Sequence, residues 1–170
     1  MHPVLHASSP YSYVSKGLAG HTARLLQPYD QAATLIGWGL GGIYARETIK
    51  LLAPQQVRQV ITIGTPFNAE ADHTNVGWLF HRLSGTPAVI APELIKRLRT
   101  PPLVPTTSIH SRSGGVVAWE TCCHAGSFKQ VQDIEIHCSH IGMGWDPTVL
   151  QIVTDRLGQQ PGNWQPYRRA

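Results

Sequence analysis

Two places in this chain carry residue types and spacings that could do chemistry. The first is Leu35-Ile36-Gly37-Trp38-Gly39-Leu40-Gly41-Gly42, an apolar strand running into a glycine turn with a helix directly after it. The apex residue of such a turn stands above the strand end, where a serine or cysteine would be an exposed nucleophile at a helix N-terminus. The apex here is Gly39, which has no atom with which to attack a carbonyl. The second place is Ser139-His140, just past an apolar strand, where an imidazole is available as a general base. Near it stand Cys122, Cys123, His124, His137 and Cys138, all ligand types for a metal ion. Cys122-Cys123-His124 are consecutive, however, so their side chains diverge around any regular element instead of converging as a C-x-x-C pair does. No metal is expected, and Cys138 reads as a small apolar residue at a strand end.

The elements that must position these residues follow from hydrophobic pattern and breakers. Residues 1–14 are turn-rich, and residues 15–27 read as a helix leading into Pro28. Ala33 to Ile36 is a short apolar run, typical of a strand covered on both faces. A helix is predicted from Leu40 to about Leu52, with Ile43, Ala45, Ile49 and Leu52 on its apolar side and Pro54 as its stop. Val57 to Ile63 is a second buried strand, ending at Gly64-Thr65-Pro66. Residues 67–101 read as an insertion with helices at Asn75–Leu83 and Ala91–Leu98. Leu103 to Ile109 gives a third strand, closed by Ser111-Arg112-Ser113-Gly114-Gly115, and Val131 to Ile136 a fourth. Asp146 as N-cap and Pro147 at the first helical position open a last helix to about Leu157, before an irregular tail from Gly158. Strands alternating with helices predict an α/β fold with a parallel sheet. No repeat or linker divides residues 1–170, which read as a single domain.

Four segments in this order resemble the bacterial α/β-hydrolases of the lipase/esterase type: Leu35 to Arg46, Gln59 to Asn68 (QVITIGTPFN), Val104 to Trp119 (VPTTSIHSRSGGVVAW) and Ser139 to Asp155 (SHIGMGWDPTVLQIVTD). The resemblance implies a partial α/β-hydrolase fold matching the family's C-terminal half. It predicts about four parallel strands, helices on both faces and a helical, cap-like insertion over residues 67–101. In that family the triad runs Ser, then Asp or Glu, then His. The nucleophile position falls on Gly39, and the acid position, where S-R-S-D-G is expected, on Gly114. The base position falls on His140. One oxyanion donor is implied at the backbone N–H of Leu40, with Trp38 and Thr65 beside the pocket. The second donor, from an earlier loop, has no counterpart.

Loss of the nucleophile costs a serine hydrolase about 10⁶ in turnover, and loss of an oxyanion donor about 10²–10³. Without a carboxylate, His140 also loses the group that fixes its tautomer. Three rescues are open: His140 acting on a water, Ser113 beside the vacated acid turn, or Asp72 beyond the strand that ends at Gly64. A serine or aspartate in a turn ordinarily bonds nearby backbone instead. Glycine at position 39 has a plain use, because the elbow's backbone region strains any residue with a side chain. The expected function is therefore an impaired or inactive protein of esterase/lipase descent, working as a binding or interaction module. The alternatives are a weak His-assisted ester hydrolase and a structural half-domain that oligomerises. Trp38, with Trp78 and Phe80 on the insertion, suggests an apolar pocket for a small apolar or ester ligand; no cofactor is expected.

Composition excludes several other classes. The 170 residues are 42% hydrophobic and 14% charged, which describes a folded domain. Net charge is +4, but the basic residues are scattered and no nucleic-acid motif appears. Lys96-Arg97-Leu98-Arg99 reads as the solvated face of a short helix. No apolar run reaches membrane-spanning length. Three cysteines and no visible signal peptide favour a reducing, cytoplasmic location. Without earlier neighbours, the strand at Ala33 to Ile36 would expose an apolar edge, so a homo-oligomer or a covering partner is expected.

Overall fold

The computed structural model describes residues 10–68 and 92–169. Its elements in chain order are α1 (Pro10–Leu26), β1 (Ala33–Trp38), α2 (Leu40–Ile49), β2 (Val57–Ile63), α3 (Pro92–Arg99), β3 (Thr106–Ser111), β4 (Val131–Ile136) and α4 (Pro147–Gly158). Among the described residues the four strands form one parallel sheet in the order β1-β2-β3-β4. The α/β class and the parallel sheet are as the sequence pattern predicts. The helix expected at Asn75–Leu83, with Trp78, Phe80 and Asp72, lies outside the described residues.

Both faces of the sheet are covered, because alternate residues of the buried strands point to opposite sides. Val60 and Val57 pack with Ala45 and Ile49 of α2, and α1 lies against α2 with Ser15 and Ala19 buried. On the other face Ile61, Ile63, Ile109 and Ile136 pack with Val149 and Ile152 of α4 and with Met143. Each fully buried aliphatic side chain contributes roughly 1.5–3 kcal/mol. α4 starts as predicted: Asp146 accepts from the N–H groups of Thr148 (2.8 Å) and Val149 (3.2 Å), a cap worth about 1 kcal/mol.

Several boundaries differ from expectation, and β1 continues to Trp38 instead of stopping at Ile36. α1 begins at Pro10 rather than at residue 15, since proline is favoured at the first position of a helix. α2 stops at Ile49, and residues 50–52 are a turn instead of its last helical stretch. β3 runs from Thr106 to Ser111, not from Leu103 to Ile109. Pro105 has no N–H to give the ladder, although its carbonyl accepts from Val60 N at 3.0 Å, and Leu103 is fully exposed. All six residues of β3 are buried although four are hydroxylic. Ser108 Oγ donates to the Cys122 carbonyl (2.6 Å) and Thr106 Oγ1 to the Val104 carbonyl (2.9 Å), which lowers the cost of burying them.

A charged array lies behind α2 where only apolar contacts were expected. Arg46 is fully buried: Nη1 donates to Nε2 of His124 (3.1 Å), Nη2 donates to the Leu98 carbonyl (2.8 Å), and the guanidinium stacks over Phe67 (3.9 Å). Nδ1 of His124 in turn donates to Asp133 Oδ1 (2.7 Å), and Glu47 pairs with Arg97 and Lys50. Burial lowers the Arg46 guanidinium, opposed by Asp133 and Glu47. The array joins α2 to α3 and β4.

β1 is an edge strand with β2 as its one partner among the described residues, and Ile36 and Trp38 are 46% and 41% exposed there. Residues 159–169 contain no helix or strand, yet Tyr167 exchanges two hydrogen bonds with the Gln132 side chain (2.7 and 3.0 Å). Among the described residues no helix is long and apolar enough to cross a membrane.

Candidate functional site

Parallel strands deliver their carboxyl ends to one edge of the sheet, so the residues just after them share a surface. Trp38 pairs in register with Ile63, Ile63 with Ile109, and Ser111 with Ile136. The segments that leave these ends carry Gly39, Gly64, Gly114 and His140. The sequence predicts that Gly39, Gly114 and His140 meet there, and in the structure they do.

Gly39 takes φ 54° and ψ −122°, a conformation that strains any residue with a side chain by about 1–3 kcal/mol. Its N–H is held by the Ile63 carbonyl at 2.8 Å. A β-carbon on Gly39 would lie 3.4 Å from Nε2 of His140, so the imidazole faces the place a nucleophile would occupy. On its other side His140 is tied to the third turn, its backbone N–H donating to the Gly114 carbonyl at 2.8 Å. A β-carbon on Gly114 would stand 3.9 Å from His140 Cβ and 3.2 Å from the Ser111 carbonyl.

His140 is 8% exposed, and its Nδ1 has no hydrogen-bond partner among the described residues. Burial lowers its pKa, so the folded chain keeps the imidazole neutral at neutral pH. The linkage sign follows: below about pH 6.5 the unfolded chain binds a proton that the folded one resists, and stability falls with pH there. Nδ1 lies against Gly64, which the Met143 sulfur also approaches. A β-carbon on Gly64 would come within 2.8 Å of Nδ1 and 3.1 Å of Met143 Sδ, and φ there is +53°. Gly64 is thus required at the site, a role its sequence position as a strand-ending turn does not reveal.

The other expected pocket residues divide. Trp38 is half-exposed, its ring 5.8 Å from that of His140 and stacked near the Gly144 backbone. Leu40 opens α2, and its backbone N–H makes no hydrogen bond to another backbone group among the described residues. Thr65 lies beneath the site instead of beside an open pocket. It is fully buried, and its hydroxyl donates to the Ile63 carbonyl (3.3 Å). It also meets Gly42, where a β-carbon would fall 2.7 Å from Thr65 Cγ2.

Ser113 is engaged in the turn: Oγ lies 3.0 Å from Ser111 Oγ and donates to the Cys138 carbonyl at 3.5 Å. Among the described residues no three His, Cys, Asp or Glu side chains gather to hold a metal ion. Burial pushes the thiols of Cys122 and Cys123 up to about 12, and His124 is committed to Asp133 and Arg46.

No family model and no curated protein matches the chain. Solved structures do. The Bacillus licheniformis lipase BlEst2 in its mature form matches with a TM-score of 0.64 at 19% identity, over 90% of this chain and 76% of that one. A lipase-esterase related protein from Clostridium acetobutylicum ATCC 824 matches at 0.56 and 12%, over 88% and 74%. The N-acyl homoserine lactonase AidH, complexed with N-butanoyl homoserine, matches at 0.56 and 14%, over 95% and 76%. The chain therefore spans about three-quarters of these structures, more than the half expected from its strand count. A four-stranded parallel sheet with covered faces, matched throughout by such proteins, gives this chain the α/β-hydrolase fold.

Proposed function

We propose that this chain is a protein of esterase/lipase descent that binds its ligand without cleaving it. The observation that carries the reading is the pair Gly39 and His140: a base stands 3.4 Å from the β-carbon position of a residue that has none. Gly114 supports it, because that position offers no carboxylate and His140 Nδ1 has no hydrogen-bond partner among the described residues. The solved neighbours named as a lipase and as a lactonase support ester or lactone ligands as the ancestral class. The test is the hydrolysis of a short-chain aryl ester. Wild-type turnover is expected to equal that of the His140→Ala variant and of buffer. Turnover that disappears in His140→Ala would replace this reading with the weak hydrolase, in which His140 activates water.

A second observation favours an interaction role. Among the described residues β1 has an unpaired edge with Ile36 and Trp38 exposed, and such edges pair with other chains unless covered. The reading includes self-association or a partner along β1. Sedimentation at micromolar concentration is expected to show more than one copy, and Ile36→Lys is expected to dissociate it; a monomer at all concentrations would remove self-association. The free thiols of Cys122, Cys123 and Cys138 support a reducing compartment.

A further inference from the structure

We propose that the site between Gly39 and His140 holds the carboxylate of a ligand with an apolar tail, one carboxylate oxygen standing where a serine hydroxyl would be. The proposal rests on the binding reading above and names its ligand class. Helix α2 has 10 residues, and Gly39 before it offers no side-chain cap. The first N–H groups of a helix lack intrahelical partners and carry partial positive charge. Here neither Leu40 N–H nor Gly41 N–H bonds another backbone group among the described residues. A carboxylate arriving there would meet fixed donors.

His140 points to the same ligand independently. It is more than nine-tenths buried, and no hydrogen bond to its imidazole is made among the described residues. Its Nε2 faces the open side of Gly39. As the Nε2–H tautomer, the neutral ring donates one hydrogen bond toward that point. Nδ1, against Gly64, stays dry. Two kinds of donor then flank Gly39, and neither has a hydrogen-bond acceptor among the described residues. An intact triad would differ, since its carboxylate would put a negative charge beside the imidazole. Glycine at position 114 removes that repulsion, so the substitutions that end ester cleavage leave a site suited to an anion.

Trp38 lies beside the imidazole and supplies an apolar face for the tail, and the loop that carries His140 adds the exposed side chains of Ile141 and Trp145. Monocarboxylates with a short alkyl or aryl tail fit these terms. Esters lack the charge, and alcohols lack both the charge and the second oxygen.

Calorimetric titration with octanoate, methyl octanoate and octan-1-ol tests this on the full chain. Octanoate is expected to bind at least about tenfold more tightly than octan-1-ol or the ester, as charge-assisted hydrogen bonds are stronger than neutral ones. His140→Leu is expected to weaken octanoate by about tenfold and leave octan-1-ol unchanged. Gly39→Ala, whose methyl would crowd the space next to that oxygen, is expected to weaken octanoate alone. If His140→Leu does not fold, the three-ligand comparison on the wild type and Gly39→Ala decide. Equal affinity for the three ligands, no binding of octanoate, or indifference of octanoate to both variants would overturn the proposal. Octanoate has no bond to cleave, so the aryl-ester result judges the non-catalytic reading separately.

Discussion

Gly39→Ser combined with Gly114→Asp is expected to raise hydrolysis of a short-chain aryl ester by about 10³–10⁴ over the wild-type chain. The upper bound is the factor of about 10⁶ that a nucleophile supplies, reduced by about 10²–10³ if only the Leu40 N–H serves as oxyanion donor. Geometry supports the gain. A serine β-carbon at position 39 would lie 3.4 Å from Nε2, which brings its hydroxyl within hydrogen-bond reach of the base. The Gly114 carbonyl already holds the His140 backbone, so an aspartate there starts 3.9 Å from His140 Cβ, the root of the ring it must orient. Serine alone is expected to fall far short, because a triad without its carboxylate loses about 10⁴. The serine also adopts φ 54°, so about 1–3 kcal/mol of stability is expected to be lost, read as a lower unfolding midpoint. A folded double variant with no gain would show that the base and the two turns cannot act together.

Gly37→Ala is expected to abolish folding, with a cost above about 4 kcal/mol. Its β-carbon would fall 2.5 Å from both Gly41 C and Gly42 Cα. Those are backbone atoms in the first turn of α2, and no side-chain rotation can relieve the overlap. Strand β1 and helix α2 approach so closely because the elbow reverses the chain within a few residues. Gly41→Ala is the control. Nothing lies within 4 Å of its β-carbon position, so alanine there is expected to stabilise the helix by about 0.5–1 kcal/mol. Urea unfolding of the two variants checks the contrast. Equal stabilities would mean that the elbow is looser than this packing requires.

Much of this arrangement was legible from the chain because its signals are local. β-branched runs marked β2 and β4 at their observed bounds, and the Asp146-Pro147 pair marked the start of α4. The meeting of Gly39, Gly114 and His140 was legible only through the family resemblance, since 101 residues separate the elbow from the imidazole along the chain. Polarity misled where burial is repaid by hydrogen bonds. β3 is rich in hydroxyls, yet every residue is buried, with Thr106 and Ser108 donating to carbonyls and Ser111 meeting Ser113 Oγ. Arg46 was invisible for the same reason: an arginine on a helix is ordinarily solvated, and its partners His124 and Leu98 come from distant segments. Gly64 announced a turn but not the imidazole that crowds it, because nothing in a single glycine specifies its neighbour.

The Arg46 array has a mechanical consequence for the elbow. Its guanidinium grips groups 52 and 78 residues further along the chain, so α2 is moored in its last turn to parts of the molecule laid down much later. Pivoting this helix would strip a buried cation of its partners, a penalty of several kcal/mol. The donors at its forward end therefore keep their bearing whether or not the pocket is filled. Any adjustment to an incoming molecule falls to the His140 loop and the Trp38 ring.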